Sequence, residues 1–184
     1  MNTSARDRLI QTTALLLQSQ GYNSTGLNQV LQQSGVPKGS LYHYFPGGKE
    51  DLAIAAIQQS TLAVQASLQM IAGRHSSLQA SVEAAIDYFI NELESSQFSK
   101  GCPVATIALE QAGVNSRIQA ACELAYATWQ AALIALFAAH GKSNAEQLAE
   151  RLLIALEGGL ILSRARRDCK ALRQVKSELS IYLS

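Results

Sequence analysis

A chain of 184 residues that is 48% hydrophobic, 16% charged and holds only three prolines has the makeup of one ordinary domain, or of a small domain joined to a medium one. Its three cysteines, an odd number spaced 20 and 47 residues apart, fit neither a disulfide framework nor a zinc site. The net charge of +1 would argue against a nucleic-acid partner if it were evenly spread, but residues 1–49 carry Arg6, Arg8, Lys38 and Lys49 against Asp7 alone, whereas residues 77–163 carry four basic residues against nine acidic ones.

Alanine, leucine and glutamine dominate, helical spacing recurs and strand-like alternation is scarce, so an all-α protein is expected. Ser4 and Asp7 form a capping-box-like start, and Leu9, Ile10, Thr13, Leu16 and Leu17 repeat at helical spacing until Gly21 stops the first helix. Thr3 and Arg6 at that start either lie near a phosphate or form a solvated helix end. Thr25 is placed to cap the second helix, with Leu27, Val30 and Leu31 turned inward and Gln29, Gln32 and Gln33 outward. Free N–H groups and a partial positive charge let such a helix start dock on a phosphate, with Thr25 fixing the register or serving as a cap alone.

Gly35 suits the end of the second helix and Pro37 the first turn of a third, so a tight turn joins the two. In this short helix Leu41 and Phe45 share one face, while Lys38, Ser40, Tyr42, His43 and Tyr44 crowd the others. Three consecutive rings are more than a small core buries, and phenol and imidazole tips beside a lysine and a serine suit base edges and phosphate oxygens. The stretch reads as a DNA recognition helix. The alternative, ordinary packing at a helix end, accounts for one aromatic better than for three in a row.

The segment T-G-L-N-Q-V-L-Q-Q-S-G-V-P-K-G-S-L-Y-H-Y-F-P-G-G-K-E-D-L, residues 25–52, resembles the DNA-binding domain of the TetR family of bacterial transcriptional regulators. The P-G-G-K ending, with G-C-P-V-A at 101–105 and L-E-G-G-L-I-L-S-R-A-R-R-D at 156–168, is similar to the LmrA/YxaF-like subgroup. The resemblance implies an N-terminal three-helix helix-turn-helix domain over residues 1–50 and a helical ligand-binding and dimerisation domain over 51–184, about nine helices in all. By that resemblance Lys38, Gly39, Ser40, Tyr42 and His43 would face bases or nearby phosphates. Thr25, Tyr44 and Lys49 would hold the DNA backbone.

After Pro46-Gly47-Gly48, a long fourth helix starts at Lys49 and runs through Leu52, Ala56, Ile57, Val64, Leu68 and Ile71 to about Gly73, with Glu50 and Asp51 suited to its positive end. Lys49 is better explained as a phosphate contact than as a helix stabiliser. Leu78, Val82, Ala85, Ile86, Phe89, Ile90 and Leu93 make a clear amphipathic fifth helix. Cys102-Pro103 opens a sixth that reaches about Gly113, and Asn115 caps a seventh in which Ile118, Cys122, Ala125, Trp129 and Leu136 share a face. Met70, Phe89, Phe98, Leu109, Tyr126 and Trp129 either fill the core or line a mostly apolar ligand chamber among the fourth to seventh helices.

An eighth helix begins at Ser143 or Asn144 and a ninth carries Leu172, Val175, Leu179 and Tyr182. Leu152, Ala155, Leu156 and Gly159, together with Leu172, Val175 and Leu179, are expected to form a dimerisation surface, small residues allowing close approach to a twofold partner. Arg164, Arg166, Arg167, Lys170, Arg173 and Lys176 make either a solvated rim or a second DNA patch. No basic start followed by an apolar run opens the chain, and the apolar stretch Leu152–Leu162, interrupted by Glu157, is too short to span a bilayer, so a cytoplasmic protein with no membrane partner is expected.

Repression is the function the resemblance implies: a homodimer on double-stranded operator DNA, released by a small-molecule inducer, with no cofactor and no metal. The inducer is either a non-covalent apolar or aromatic compound, or an electrophile or oxidant acting on Cys102, whose place at a helix start would favour thiolate. No residue separates repressor from activator. A thiol-dependent enzyme or a helical small-molecule carrier is the alternative from another class, but His43, His75 and His140 lie far from the cysteines in sequence and no nucleophile, phosphate-loop or metal motif is present.

Overall fold

Local chemistry sets most helix ends. In the computed structural model, which describes residues 4–183, ten helices follow one another and no strand occurs among the described residues. They are α1 (Ala5–Gln20), α2 (Leu27–Ser34), α3 (Lys38–Tyr44), α4 (Lys49–Ala72), α5 (Leu78–Ser95), α6 (Ala105–Gln111), α7 (Ser116–Ala139), α8 (Ala145–Arg166), α9 (Lys170–Ser177) and α10 (Leu179–Leu183). Thr3 lies outside the described residues, as does the side chain of Tyr182.

Ser4 Oγ accepts from the Asp7 N–H at 3.1 Å and its hydroxyl donates to Asp7 Oδ2 at 2.7 Å, so the start of α1 satisfies an otherwise orphaned amide. Gly35 ends α2 at φ 64°, a left-handed conformation that favours glycine, and its N–H donates to Leu31 O. Asn115 Oδ1 accepts from the Ile118 N–H at 3.0 Å, capping α7.

Three helix ends depart from expectation. Thr25 does not cap α2: Gly26 holds the N-cap position without a side-chain bond, and the Thr25 hydroxyl donates backward to Gly21 O at 2.6 Å. A carbonyl left open at the end of α1 outcompetes the amides of α2 for that hydroxyl. The sixth helix begins at Ala105 rather than at Cys102-Pro103 and ends at Gln111. The expected ninth helix is two, because Glu178 leaves helical geometry at φ −105°, ψ 20° and closes α9 with its N–H on Gln174 O.

By packing, the chain divides into two units: residues up to Leu62 with Pro103–Ala125, and Ala63–Cys102 with residues from Tyr126 onward. In the first unit α1 packs on α2, α3 and α6, and Leu9, Leu17, Val30, Leu41, Leu52, Ile57, Ile107 and Ile118 are almost wholly buried. In the second, α8 packs on α5, α9 and α10, and α5 on α9, around Ile86, Leu93, Phe137, Leu148, Leu152 and Leu172. Burying large aliphatic side chains contributes about 1.5–3 kcal/mol each, so the apolar stripes of the helices drive the packing within each unit. By length and composition α7, rather than the stretch Leu152–Leu162, is apolar enough to cross a membrane; Ile118, Cys122, Ala125, Trp129 and Phe137 of α7 are buried in the fold.

Candidate nucleic-acid interface

Two buried side chains, Leu41 and Phe45, seat α3 in the first unit, and the rest of the helix is turned outward. Lys38, Gly39, Tyr42, His43 and Tyr44 are exposed and Ser40 is half-buried. Large rings in water are costly, yet Tyr42 is 45% exposed and Tyr44 40%, with the His43 and Tyr44 rings edge to face at 5.0 Å. Tyr42 and Lys38 border a groove whose other wall is Gly26, Leu27, Asn28 and Leu31 at the start of α2. One surface thus presents a lysine, two phenols and an imidazole beside a helix N-terminus.

Arg6 stacks over the Phe45 ring at 5.6 Å, and Arg8 Nε donates to Ser34 O at 3.2 Å, so both arginines of α1 brace the helix-turn-helix. Lys49 Nζ rests 4.2 Å from the centre of the Tyr22 ring. Burial lowers the pKa of Lys49, partly opposed by the negative charge of Glu110. The first turn of α4 is gripped from α7: Arg117 reaches both Glu50 and Asp51, Asn115 Nδ2 donates to Glu50 Oε2 at 2.6 Å, and Asp51 Oδ2 accepts from the Gly47 N–H at 2.7 Å. Arg117, followed by the Gly47 amide, holds the Asp51 carboxyl below the usual carboxylate range. Among the expected DNA contacts Thr25 alone is withdrawn, at 2% exposure, because its hydroxyl is used on Gly21.

The expected chamber residues are only partly gathered. Trp129 and Cys102 are buried, Phe89, Phe98 and Tyr126 half-buried, all in the second unit, and Tyr126 meets Trp129 edge to face at 5.7 Å. Met70 is 56% exposed, and Leu109 is 80% exposed on α6 of the first unit, so neither lines an enclosed space there. Cys102 precedes α6 by three residues and that helix has only seven, which removes the helix-start argument for a thiolate. Its thiol instead hydrogen-bonds Glu157, whose Oε2 is buried without a hydrogen-bond partner and whose pKa is raised by burial. Sequence reasoning passed over this acid, although a lone charge inside an apolar run of α8 was its signal.

On the last helices the structure revises the expected interface. Leu152, Leu156, Leu172 and Leu179 lie within the chain's own core, whereas Ala155, Gly159 and Val175, though little exposed, line a groove between α8 and α9, and a Cβ at Gly159 would stand 2.8 Å from Leu172 Cδ2. Surface already removed from water inside a protomer has nothing left to bury against a partner. The apolar side chains that remain open on α8 are Ile154, Ile161 and Leu162, and Ile154 and Leu162 flank a groove with half-buried Ala155, exposed Gly158 and, from α9, Ala171 and Gln174. Half of the basic cluster is paired with acids, Arg173 with Glu94 at 2.7 Å, Lys176 with Asp87 at 2.6 Å and Lys170 with Asp168 at 3.8 Å, while Arg164 donates to Ser99 O at 3.0 Å. Among the described residues, no group of three or more His, Cys, Asp or Glu gathers as a metal site.

Residues 9–56 match the model for bacterial regulatory proteins of the tetR family, and residues 79–178 match that for the C-terminal domain of LmrA/YxaF-like transcriptional regulators. The chain is 31% identical over 181 residues to the helix-turn-helix transcriptional regulator YxaF of Bacillus subtilis, covering 97% of this chain and 95% of that one. It is 34% identical over 182 residues to the transcriptional regulator LmrA of the same organism, covering 94% and 93%. A TetR transcriptional regulator of Legionella pneumophila shares the fold at a TM-score of 0.87, with 24% identity and full coverage of both chains.

Proposed function

We propose, because this chain belongs to the TetR family of bacterial regulatory proteins, that it is a repressor: a homodimer that binds a palindromic operator and lets go when a small apolar or aromatic inducer occupies its body. As a transcriptional regulator it is not an enzyme, and no residue is assigned a catalytic role. The observation that carries the proposal is the outward display of Lys38, Tyr42, His43 and Tyr44 on a helix whose only anchors are Leu41 and Phe45. The core of the first unit takes in Leu41 and Phe45 and leaves those rings exposed. They suit a base-pair edge in a major groove.

In this reading residues 1–50 read the duplex and 51–184 carry inducer and partner. Lys38, Ser40, Tyr42 and His43 read bases or adjacent phosphates, with Gly39 on the same open face, where a Cβ would meet nothing within 4 Å. Tyr44 and Lys49 hold phosphates, and Thr25 acts from behind by fixing the turn before α2. Phe89, Phe98, Tyr126 and Trp129 supply the aromatic wall for an inducer, with Cys102 beside them and Glu157 as the polar group next to Cys102. The inducer works through a difference in its affinity for two arrangements of the dimer. The twofold partner covers Ile154 and Leu162 on α8 and Ala171 and Gln174 on α9. The protein acts in the cytoplasm, where its DNA is.

Binding of the purified protein to labelled DNA from upstream of its own gene, against an excess of unrelated DNA, tests the proposal. Retention of one short fragment supports it. Equal affinity for every fragment, in the absence of small molecules, contradicts it.

A further inference from the structure

Glu110 stands apart from every role given above. From the last turn of α6 its Oε2 accepts two consecutive backbone N–H groups, Tyr22 at 2.6 Å and Asn23 at 2.9 Å, in the turn between α1 and α2. The next residue, Gln111, adds a bond from Nε2 to Asn23 Oδ1 at 2.9 Å. Gly21 makes the approach possible, because a Cβ there would fall inside the Glu110 carboxylate. The same turn is tied to α2 from the other side: Gln20 Nε2 donates to Ser24 O and to Gln29 Oε1, both at 2.8 Å, and the Thr25 hydroxyl to Gly21 O. Tyr22, whose amide Glu110 holds, is also the residue whose ring carries the Lys49 ammonium, and Glu110 attracts that ammonium directly.

We propose that Glu110 is a positioning residue for DNA binding: its carboxylate fixes the α1–α2 turn and, through Tyr22, holds Lys49 where it meets the phosphate backbone. The inference rests on the operator-binding reading above. A carboxylate accepting two amides makes charge-assisted bonds that no neutral side chain matches, so the grip is strong enough to set a neighbour's place as well as to brace the fold. Because α6 and the turn are 88 residues apart in sequence at these contacts, the grip also gives a segment far along the chain a direct hold on the DNA-reading head.

The test compares the native chain with Glu110→Ala, Glu110→Gln, Lys49→Ala and the Glu110→Ala/Lys49→Ala double variant. Affinity for the upstream fragment is read by fluorescence anisotropy at several salt concentrations, with thermal unfolding followed in parallel. Glu110→Ala is expected to weaken binding on the order of tenfold at temperatures where it is fully folded. Its salt dependence falls toward that of Lys49→Ala, and its effect shrinks in the Lys49→Ala background. Glu110→Gln, which keeps size and an acceptor, falls between, and decides the matter if the alanine variant does not fold. A variant that melts earlier yet binds like the native chain, or whose effect is undiminished without Lys49, overturns the inference. Failure of the native chain itself to prefer any fragment overturns the operator reading, and this inference with it.

Discussion

The ammonium of Lys49 rests on the Tyr22 ring in the pull of Glu110, while Tyr42 and His43 are exposed on α3. The two kinds of position imply different losses. Lys49→Ala should weaken operator and random DNA alike and lower the salt slope by about one, whereas Tyr42→Ala or His43→Ala should cost about 1–3 kcal/mol for the preferred sequence and little for others. Affinities for operator and scrambled duplex across salt concentrations separate these outcomes. Glu157 makes a prediction about pH. Its pKa is raised in the folded state, so over the window from the ordinary Glu range up to that raised value the folded chain binds more protons than the unfolded one. Stability therefore falls as pH rises through that window. Glu157→Gln removes the titration and should raise the urea midpoint at neutral pH but not below the ordinary Glu range; equal gains at both would exclude burial of the charge as the cause. Which residues were readable in advance follows from range. Ser4, Gly35 and Asn115 act on amides or carbonyls within a few positions, so their roles were legible. Thr25 had two partners within reach, and only the placement of Gly21 O decides between them. Glu110 was invisible because its partners lie 88 and 87 residues away.

Among the elements, α8 shows what a hydrophobic pattern states and what it leaves open. Its spacing announced a helix with more apolar residues than one face needs, and the helix is there over Ala145–Arg166. Periodicity does not say which face meets the chain's own core. Leu152 and Leu156 face inward, Ile154 and Leu162 outward, so of the expected interface residues Ala155, Gly159 and Val175 line the open groove while the leucines belong to the protomer's core. Leu152→Ala should therefore cost about 2–5 kcal/mol of unfolding free energy, the usual range for a buried leucine. Ile154, 63% exposed, should cost the isolated protomer little, and matching losses at the two positions in chemical denaturation would contradict the assignment. Helix ends were harder to read where several weak signals compete. Cys102-Pro103 looked like a helix start, yet α6 opens at Ala105, and nothing in the apolar spacing marked Glu178 as the break between α9 and α10.

Across the whole molecule, the division of labour rests on charge and on exposed surface. The basic residues of the first forty-nine positions accompany the exposed rings of α3, whereas on α9 Arg173, Lys176 and Lys170 pair with Glu94, Asp87 and Asp168. A single protomer offers one short recognition helix, too little surface for a specific complex, whereas two copies related by a twofold double the contacts and fix their spacing. If Ile154 lies at the proposed twofold contact, Ile154→Glu should sediment as a monomer where the native chain sediments as a dimer, and should lose operator binding with it. The central claim, that two copies of α3 enter successive major grooves about 34–36 Å apart, is tested most directly by changing the spacing of the half-sites. Inserting about five base pairs at the centre of the footprint puts the second groove on the opposite side of the duplex and should reduce affinity to the non-specific level. Undiminished binding to that altered duplex would contradict the account.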